Sequence, residues 1–317
     1  MVASACFVHM LQTTFSARDM INKDLPDDRT AAAPNARRRQ LLAMPLALSV
    51  APLRAATMRV VYPRQESAGD QRDDYQALLL KLVLEKSGRP YEVVPHAHAM
   101  VQPRLLHELE VGNDLDVAWT MTSTQRERKL LPVRIPVDMG LGGWRLLMVR
   151  KSNASRFDAV ESLTQLKLLT AGQGADWPDV EILRAAGLPV VTAANYASLF
   201  RMLGAGHFDY FPRAVQEIWP ELERPGTEEL MVEPRLVLRY PTASYFFVNR
   251  KRPELAADIE RGFELALQDG SYNALFRRHL GPTLDRARLR QRTVLHLNNP
   301  LLPPNTPLDV ARYWYQP

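Results

Sequence analysis

The stretch SLTQLKLLTAGQGADWPDVEILRAAGLPVVTAANYASLFRMLGAGHFDYFPRAVQEIWPEL, residues 162–222, decides the fold. Residues 166–171 form a short apolar run, read as a strand that Gly172 and Gly174 stop. Asp179 or a neighbour can cap the helix that follows, and Pro178 fits its first turn. Ile182, Leu183 and Ala186 give that helix an apolar stripe, and Gly187 ends it. Residues 189–192 read as a second buried strand. Residues 197–203 read as a second helix with Leu199, Phe200 and Leu203 on one face, closed by Gly206. Residues 207–211 make a third strand. Strands alternating with helices imply a parallel sheet with right-handed crossovers. Ligands in such sheets sit beyond the carboxyl ends of the strands, which picks out residues 173–177, Asn195 with Tyr196, and residues 211–213.

Residues 57–120 repeat the pattern. The spacing predicts strands at 57–62, 91–94 and 115–119. It predicts helices at 75–86, with Leu78, Leu79, Leu82 and Val83 inward, and at 102–110, closed by Gly112. Further on, residues 253–267 read as an amphipathic helix.

The two patterns together resemble the bacterial extracellular solute-binding proteins of family 3. The resemblance rests on Ser162-Leu163-Thr164-Gln165-Leu166, on Ala171-Gly172-Gln173-Gly174, and on Asn195-Tyr196-Ala197-Ser198 through Leu203, Gly206 and Asp209. Asp269-Gly270-Ser271-Tyr272-Asn273-Ala274-Leu275-Phe276 is similar to the family's ending, and the likeness runs from about 57 to 285. It implies a two-lobed α/β clamshell of the periplasmic-binding-protein type II kind, each lobe a mixed sheet flanked by helices. Residues 57–143 would open lobe one, 144–240 would form lobe two, and 241–317 would return to lobe one and end in an extended tail. Two hinge crossings, at 144–149 and 236–248, would permit closure on a ligand. The tail, 281–317, lies largely outside the likeness.

The resemblance also implies a site. WTMTSTQRERKLLPVRIPV, 119–137, is similar to the family segment whose arginine takes a ligand carboxylate. Arg126 fits that role, with Arg128 as the alternative and a solvated basic turn as the bland reading. Gly172-Gln173-Gly174 is either an anion-facing loop or a plain turn; as a dinucleotide fingerprint it lacks the third glycine. Asp176 and Trp177 stand at the cleft edge, and Trp119, Trp144 and Tyr196 are candidate walls. Amino-acid-binding members place an acidic residue after the third strand, whereas here Arg213 and Ala214 occupy that neighbourhood. With Arg213 turned inward the cleft would be cationic and favour an anion; turned outward, Arg213 is a surface residue. The expected ligand-binding set is therefore Trp119, Arg126, Trp144, Gln173, Gly174, Asp176, Trp177, Tyr196 and Arg213.

Composition sets the remaining bounds. The chain has 317 residues, 46% hydrophobic and 24% charged, ordinary for a globular protein. Its +5 charge falls to +2 without residues 1–56, so no case for nucleic acid arises. Cys6 is the sole cysteine, and removal of the leader leaves no thiol, which excludes a disulfide framework and a cysteine-ligated metal. Arg37-Arg38-Arg39-Gln40 precedes an apolar segment, 41–53, of secretory length. Residues 1–56 are expected to be a disordered leader and export signal, twin-arginine or Sec, giving a periplasmic location. The mature protein is expected to be a monomer that takes a small polar or anionic solute and works with an ABC permease or a membrane sensor.

No cofactor, metal or catalytic residue is implied. His96-Ala97-His98 has no evident third ligand, and His107-Glu108 lacks a helical histidine partner. A sensory or adaptor role is the alternative to uptake. A dehydratase on the same fold would need Asp176 or Glu66 as its acid.

Overall fold

The computed structural model describes residues 56–64 and 74–317. The leader and export signal, and Glu66, lie outside the described residues, which begin at Ala56.

In chain order the elements are β1 (Met58–Arg64), α1 (Asp74–Lys86), β2 (Tyr91–Ala99), α2 (Gln102–Val111), β3 (Val117–Met121), α3 (Thr124–Lys129) and β4 (Leu131–Val133). There follow β5 (Trp144–Arg150), α4 (Leu163–Leu166), β6 (Ala171–Gly174), α5 (Asp179–Ala185), β7 (Val190–Ala193), α6 (Tyr196–Ala205), β8 (Tyr210–Ala214), α7 (Ile218–Leu222), β9 (Leu230–Val232) and β10 (Leu236–Arg239). The chain ends with β11 (Ser244–Val248), α8 (Pro253–Gln268), α9 (Ser271–Ala287) and β12 (Thr293–His296).

Lobe one is built on β1 paired parallel to β2, and on β3 and β4 flanking β11 in antiparallel fashion. The Asp116 backbone N–H donates to Val61 O (3.0 Å), and its carboxylate accepts from Val61 N (2.8 Å), so β1 is tied to the entry of β3. The apolar stripe of α1 is turned from the expected one. Leu79, Leu80, Val83 and Leu84 are fully buried, while Leu78 is 40% exposed. The cause is α8, whose Leu255, Ile259 and Phe263 form the opposing face.

Lobe two is a mixed sheet in the order β12-β10-β5-β8-β6-β7, with β9 on β5. The three strands of the central stretch are parallel, as their helical crossovers require, and β5 runs antiparallel to β8, β9 and β10. The expected strand at 166–171 is displaced. Residues 163–166 are the short helix α4, and β6 starts only at Ala171. Gly172 and Gly174 lie within the strand because aromatics press on it: a Cβ on Gly172 would come 2.2 Å from the Phe208 ring. Asp179 does not cap α5. Pro178 occupies the cap position without a side-chain bond, and Asp179 is buried in the first turn.

Strands change lobe twice, between β4 and β5 and between β10 and β11. The two crossing segments run side by side, with Tyr240 N donating to Gly143 O (3.1 Å). A Cβ on Gly143 would fall 2.1 Å from Tyr240 O, so no larger residue fits between them. The segment after α9 touches both lobes. It adds β12 to the lobe-two sheet beside β10, a strand absent from the sequence reading. Asn299 Nδ2 then donates to Pro241 O (3.0 Å), Thr124 N donates to Leu301 O (3.2 Å), and Tyr315 N donates to Met139 O (2.8 Å). Among the described residues no helix is long and apolar enough to cross a membrane.

Candidate ligand-binding cleft

A cleft of about 510 Å³ is lined by both lobes and by the first crossing segment. Lobe one contributes Gln102 from the start of α2, Trp119 and Thr120 from β3, and Arg126 from α3. Lobe two contributes Gly174, Asp176, Trp177 and Asp179 around the β6–α5 turn, Tyr196 at the start of α6, Arg213 from β8 and Glu217 just after it. Asp138, Gly142 and Arg145 form the side nearest the crossings.

Arg126 is positioned by local geometry. Ser123 caps α3 by accepting from Arg126 N (3.2 Å), which turns the side chain back along β3. Its Nη1 donates to Thr120 Oγ1 and to Met121 O, both at 2.7 Å, and its Nη2 donates to Gln102 Oε1 (2.7 Å). All three acceptors are neutral, and no described carboxylate lies within 4.0 Å of it. A guanidinium carries five N–H donors, so Nε–H and one Nη2–H remain, a pair sufficient for a carboxylate. Burial pulls its pKa down to about 10, against a smaller opposing pull from Asp179.

Arg213 behaves differently. It is 2% exposed, and it grips Glu221 through Nε (2.7 Å to Oε2) and Nη2 (2.7 Å to Oε1). Glu217 Oε2 lies 2.9 Å from the same Nη2. Arg145, also buried, donates from Nε to the Tyr240 hydroxyl (2.7 Å) and pairs with Asp179 (2.9 Å) and Glu217 (3.5 Å). Burial alone would lower both arginines, yet the facing carboxylates hold both above the ordinary arginine range. Lobe two thus carries a continuous chain of ion pairs, Glu221–Arg213–Glu217–Arg145–Asp179, with the Tyr240 hydroxyl on Asp179 at one end and the Tyr196 hydroxyl on Glu221 at the other.

Arg213 therefore does not supply the free positive charge expected of it opposite Arg126. Where it borders the cleft, Arg213 is already matched by two acids, Glu217 on the turn after β8 and Glu221 in α7. It also sits against an aromatic wall, with its Cζ 4.7 Å from the Trp177 ring centroid and 4.8 Å from that of Phe211. Trp177 stacks on Phe211 at 6.2 Å and 16°, and Tyr196 lies 6.0 Å from Trp177.

Seven of the nine expected residues reach the cleft lining: Trp119, Arg126, Gly174, Asp176, Trp177, Tyr196 and Arg213. Two do not. Trp144 points into the core from β5, 9% exposed, with the Arg239 guanidinium 4.9 Å over its ring. Gln173 is fully buried and donates to Pro212 O (3.3 Å), because side chains alternate along β6 and its own points across to β8. Nor is 172–174 a loop of free N–H groups, since it pairs in register with Val191–Ala193. Asp176 is exposed at the lip.

Sequence reasoning missed Gln102, Thr120, Asp138, Arg145 and Glu217, and saw Asp179 only as a cap. Asp138 is 2% exposed and accepts from Gly140 N (3.0 Å), Gly142 N (3.1 Å) and Gln216 Nε2 (3.2 Å). Burial pushes its carboxyl up to about 6, against the pull of those backbone donors and of Arg145. Among the described residues no group of three or more His, Cys, Asp or Glu could hold a metal ion. His96 and His98 lie on the exposed end of β2, His96 Nδ1 engaged by the His98 backbone N–H (3.0 Å).

No protein-family model matches the sequence, and no curated protein matches it. Solved structures do match in three dimensions. An ancestral arginine-binding protein bound to arginine superposes with a TM-score of 0.53 at 18% identity, over 72% of this chain and 100% of that one. The Bordetella pertussis BvgS periplasmic VFT2 domain gives 0.53 at 17% identity, over 70% and 93%. A histidine kinase sensor domain with similarity to periplasmic binding proteins gives 0.50 at 20%, over 72% and 97%. The chain has the two-lobed fold of the periplasmic binding proteins.

Proposed function

We propose that the chain is an extracytoplasmic solute-binding protein of the family 3 kind, which closes its lobes on one small solute that carries a carboxylate. The observation that carries this reading is Arg126, a guanidinium enclosed by neutral acceptors with two N–H donors left over. Such a charge is costly without a counter-ion, and a ligand carboxylate supplies one. In the facing wall the buried guanidinium groups of Arg145 and Arg213 are already matched by Asp179, Glu217 and Glu221. That wall therefore suits an uncharged polar or cationic end of the solute, and disfavours a second anionic group. Trp119, Trp177 and Tyr196 flank the solute with flat apolar surface. An amino acid meets these requirements, and one structural neighbour is bound to arginine.

The protein is read as a monomer in the periplasm. It delivers its solute to a permease or, in keeping with the sensor domains among its neighbours, reports it to a membrane kinase. Of the two acids on which a dehydratase could depend, Glu66 lies outside the described residues and Asp176 stands exposed at the lip.

Thermal denaturation against a panel tests the reading. The panel holds the common amino acids, C2–C5 monocarboxylates, dicarboxylates and alkylamines. Monocarboxylates or amino acids are expected to raise the midpoint, and dicarboxylates of equal length to raise it less. Stabilisation by amines with none by any carboxylate contradicts the proposal.

A further inference from the structure

The acceptors around Arg126 differ in origin. Thr120 and Met121 come from the strand that precedes α3, whereas Gln102 comes from the first turn of α2, 24 residues away in sequence. Gln102 Nε2 also reaches Thr120 Oγ1 (3.3 Å), and Thr120 Oγ1 accepts from Arg126 Nη1 (2.7 Å). The three side chains close a ring. The ring fixes the amide orientation: the oxygen faces the guanidinium and the nitrogen faces the hydroxyl. Gln102 is half-buried and Thr120 is 6% exposed, so the ring is largely shielded from water.

A glutamate at this position would have the same length and place a carboxylate 2.7 Å from Nη2, where the amide oxygen now sits. The lobe-two ion-pair chain has that solution, since Arg213 and Arg145 are each matched by carboxyl groups. Lobe one orients its arginine with a neutral group and leaves the charge unmatched.

We infer that Gln102 is a specificity-determining residue: it aims the Arg126 guanidinium into the cleft with a neutral acceptor and so keeps its charge for an anionic group of the solute. This inference rests on the reading of Arg126 as the solute's anchor. It predicts that the charge at position 102, rather than its packing, sets affinity for carboxylates.

Three variants, Gln102→Glu, Gln102→Met and Arg126→Gln, are titrated calorimetrically with the amino acid or C2–C5 monocarboxylate that stabilises the wild type most. Gln102→Glu is expected to weaken binding about 100-fold, as an internal ion pair takes the place of the external one. Gln102→Met, similar in size and neutral, is expected to weaken it less than about tenfold. Without any solute, Gln102→Glu is expected to raise the melting midpoint by roughly 3 °C, and to give no rise in the Arg126→Gln background.

Equal losses in Gln102→Glu and Gln102→Met, or full affinity in Gln102→Glu while Arg126→Gln loses binding, overturns the inference and leaves the anchor reading intact. Wild-type affinity in Arg126→Gln removes both. Should no member of the panel bind, the solute-free melting comparison decides alone, and an unchanged or lower midpoint in Gln102→Glu overturns the inference.

Discussion

Two arginines of this chain show how a residue's role follows from what surrounds it. Both Arg126 and Arg213 line one cleft. Arg126 meets only neutral acceptors, so its role is open to a ligand. Arg213 is locked by Glu217 and Glu221, so its role is structural. Replacing Glu221 by Gln leaves a buried guanidinium with Glu217 as its remaining carboxylate, and is expected to cost about 3 kcal/mol, read as a lowered denaturation midpoint. A solute's carboxylate needs a charged Arg126, so binding is expected to fall as pH rises through about 10, the value to which burial depresses that group. Affinity measured from pH 7 to 11 checks this.

Asp138 adds a second titration. Its folded pKa of about 6 lies above the ordinary carboxyl range, so this group contributes stability at low pH, lost as pH rises through about 6. The size is about 3 kcal/mol. Asp138→Asn is expected to flatten the stability profile between pH 4 and 7, and an unchanged profile would show that another group titrates there.

At the scale of elements, the central stretch was legible because its helices repeat at 3.6 residues and end on glycines. Strand ends were less so. The run at 166–171 reads as a strand by composition, yet Leu168 is 82% exposed, and the true strand carries two glycines that sequence rules treat as stops. Those glycines record ring contacts from Phe208 and Trp177, which are tertiary facts. That Arg126 lines the cleft was legible because its segment resembles one of the family's. The pairing of Arg213 was not, since it depends on how the chain turns after β8, and Gln173 was misjudged because its position within β6 sets the face it points to. Helix packing makes its own prediction. A Cβ on Gly262 of α8 would lie 1.7 Å from Val83 O of α1. Gly262→Ala is therefore expected to push the two helices apart, at a cost of about 2 kcal/mol. Chemical denaturation measures it, and wild-type stability would mean the contact relaxes freely.

Across the whole molecule, two crossing segments and the C-terminal segment join the lobes. The latter pairs β12 with β10, hydrogen-bonds Pro241 in one crossing, and reaches Met139 in the other. Trp314 is 8% exposed and fills the space over Gly140, where a Cβ would fall 2.5 Å from its ring. Removal of residues 293–317 is expected to lower the melting midpoint by roughly 5 °C or more, because it uncovers the β10 edge and the crossing together. The segment escaped the sequence reading because β12 is short and its partner lies far back in the chain.

The central claim is that an unmatched guanidinium in the cleft between the lobes holds a carboxylate. Calorimetric titration with the best carboxylate of the panel, beside its carboxamide analogue, addresses it most directly. The account predicts one site for the carboxylate and binding about 100-fold weaker for the carboxamide. Equal affinity for the two compounds would contradict it.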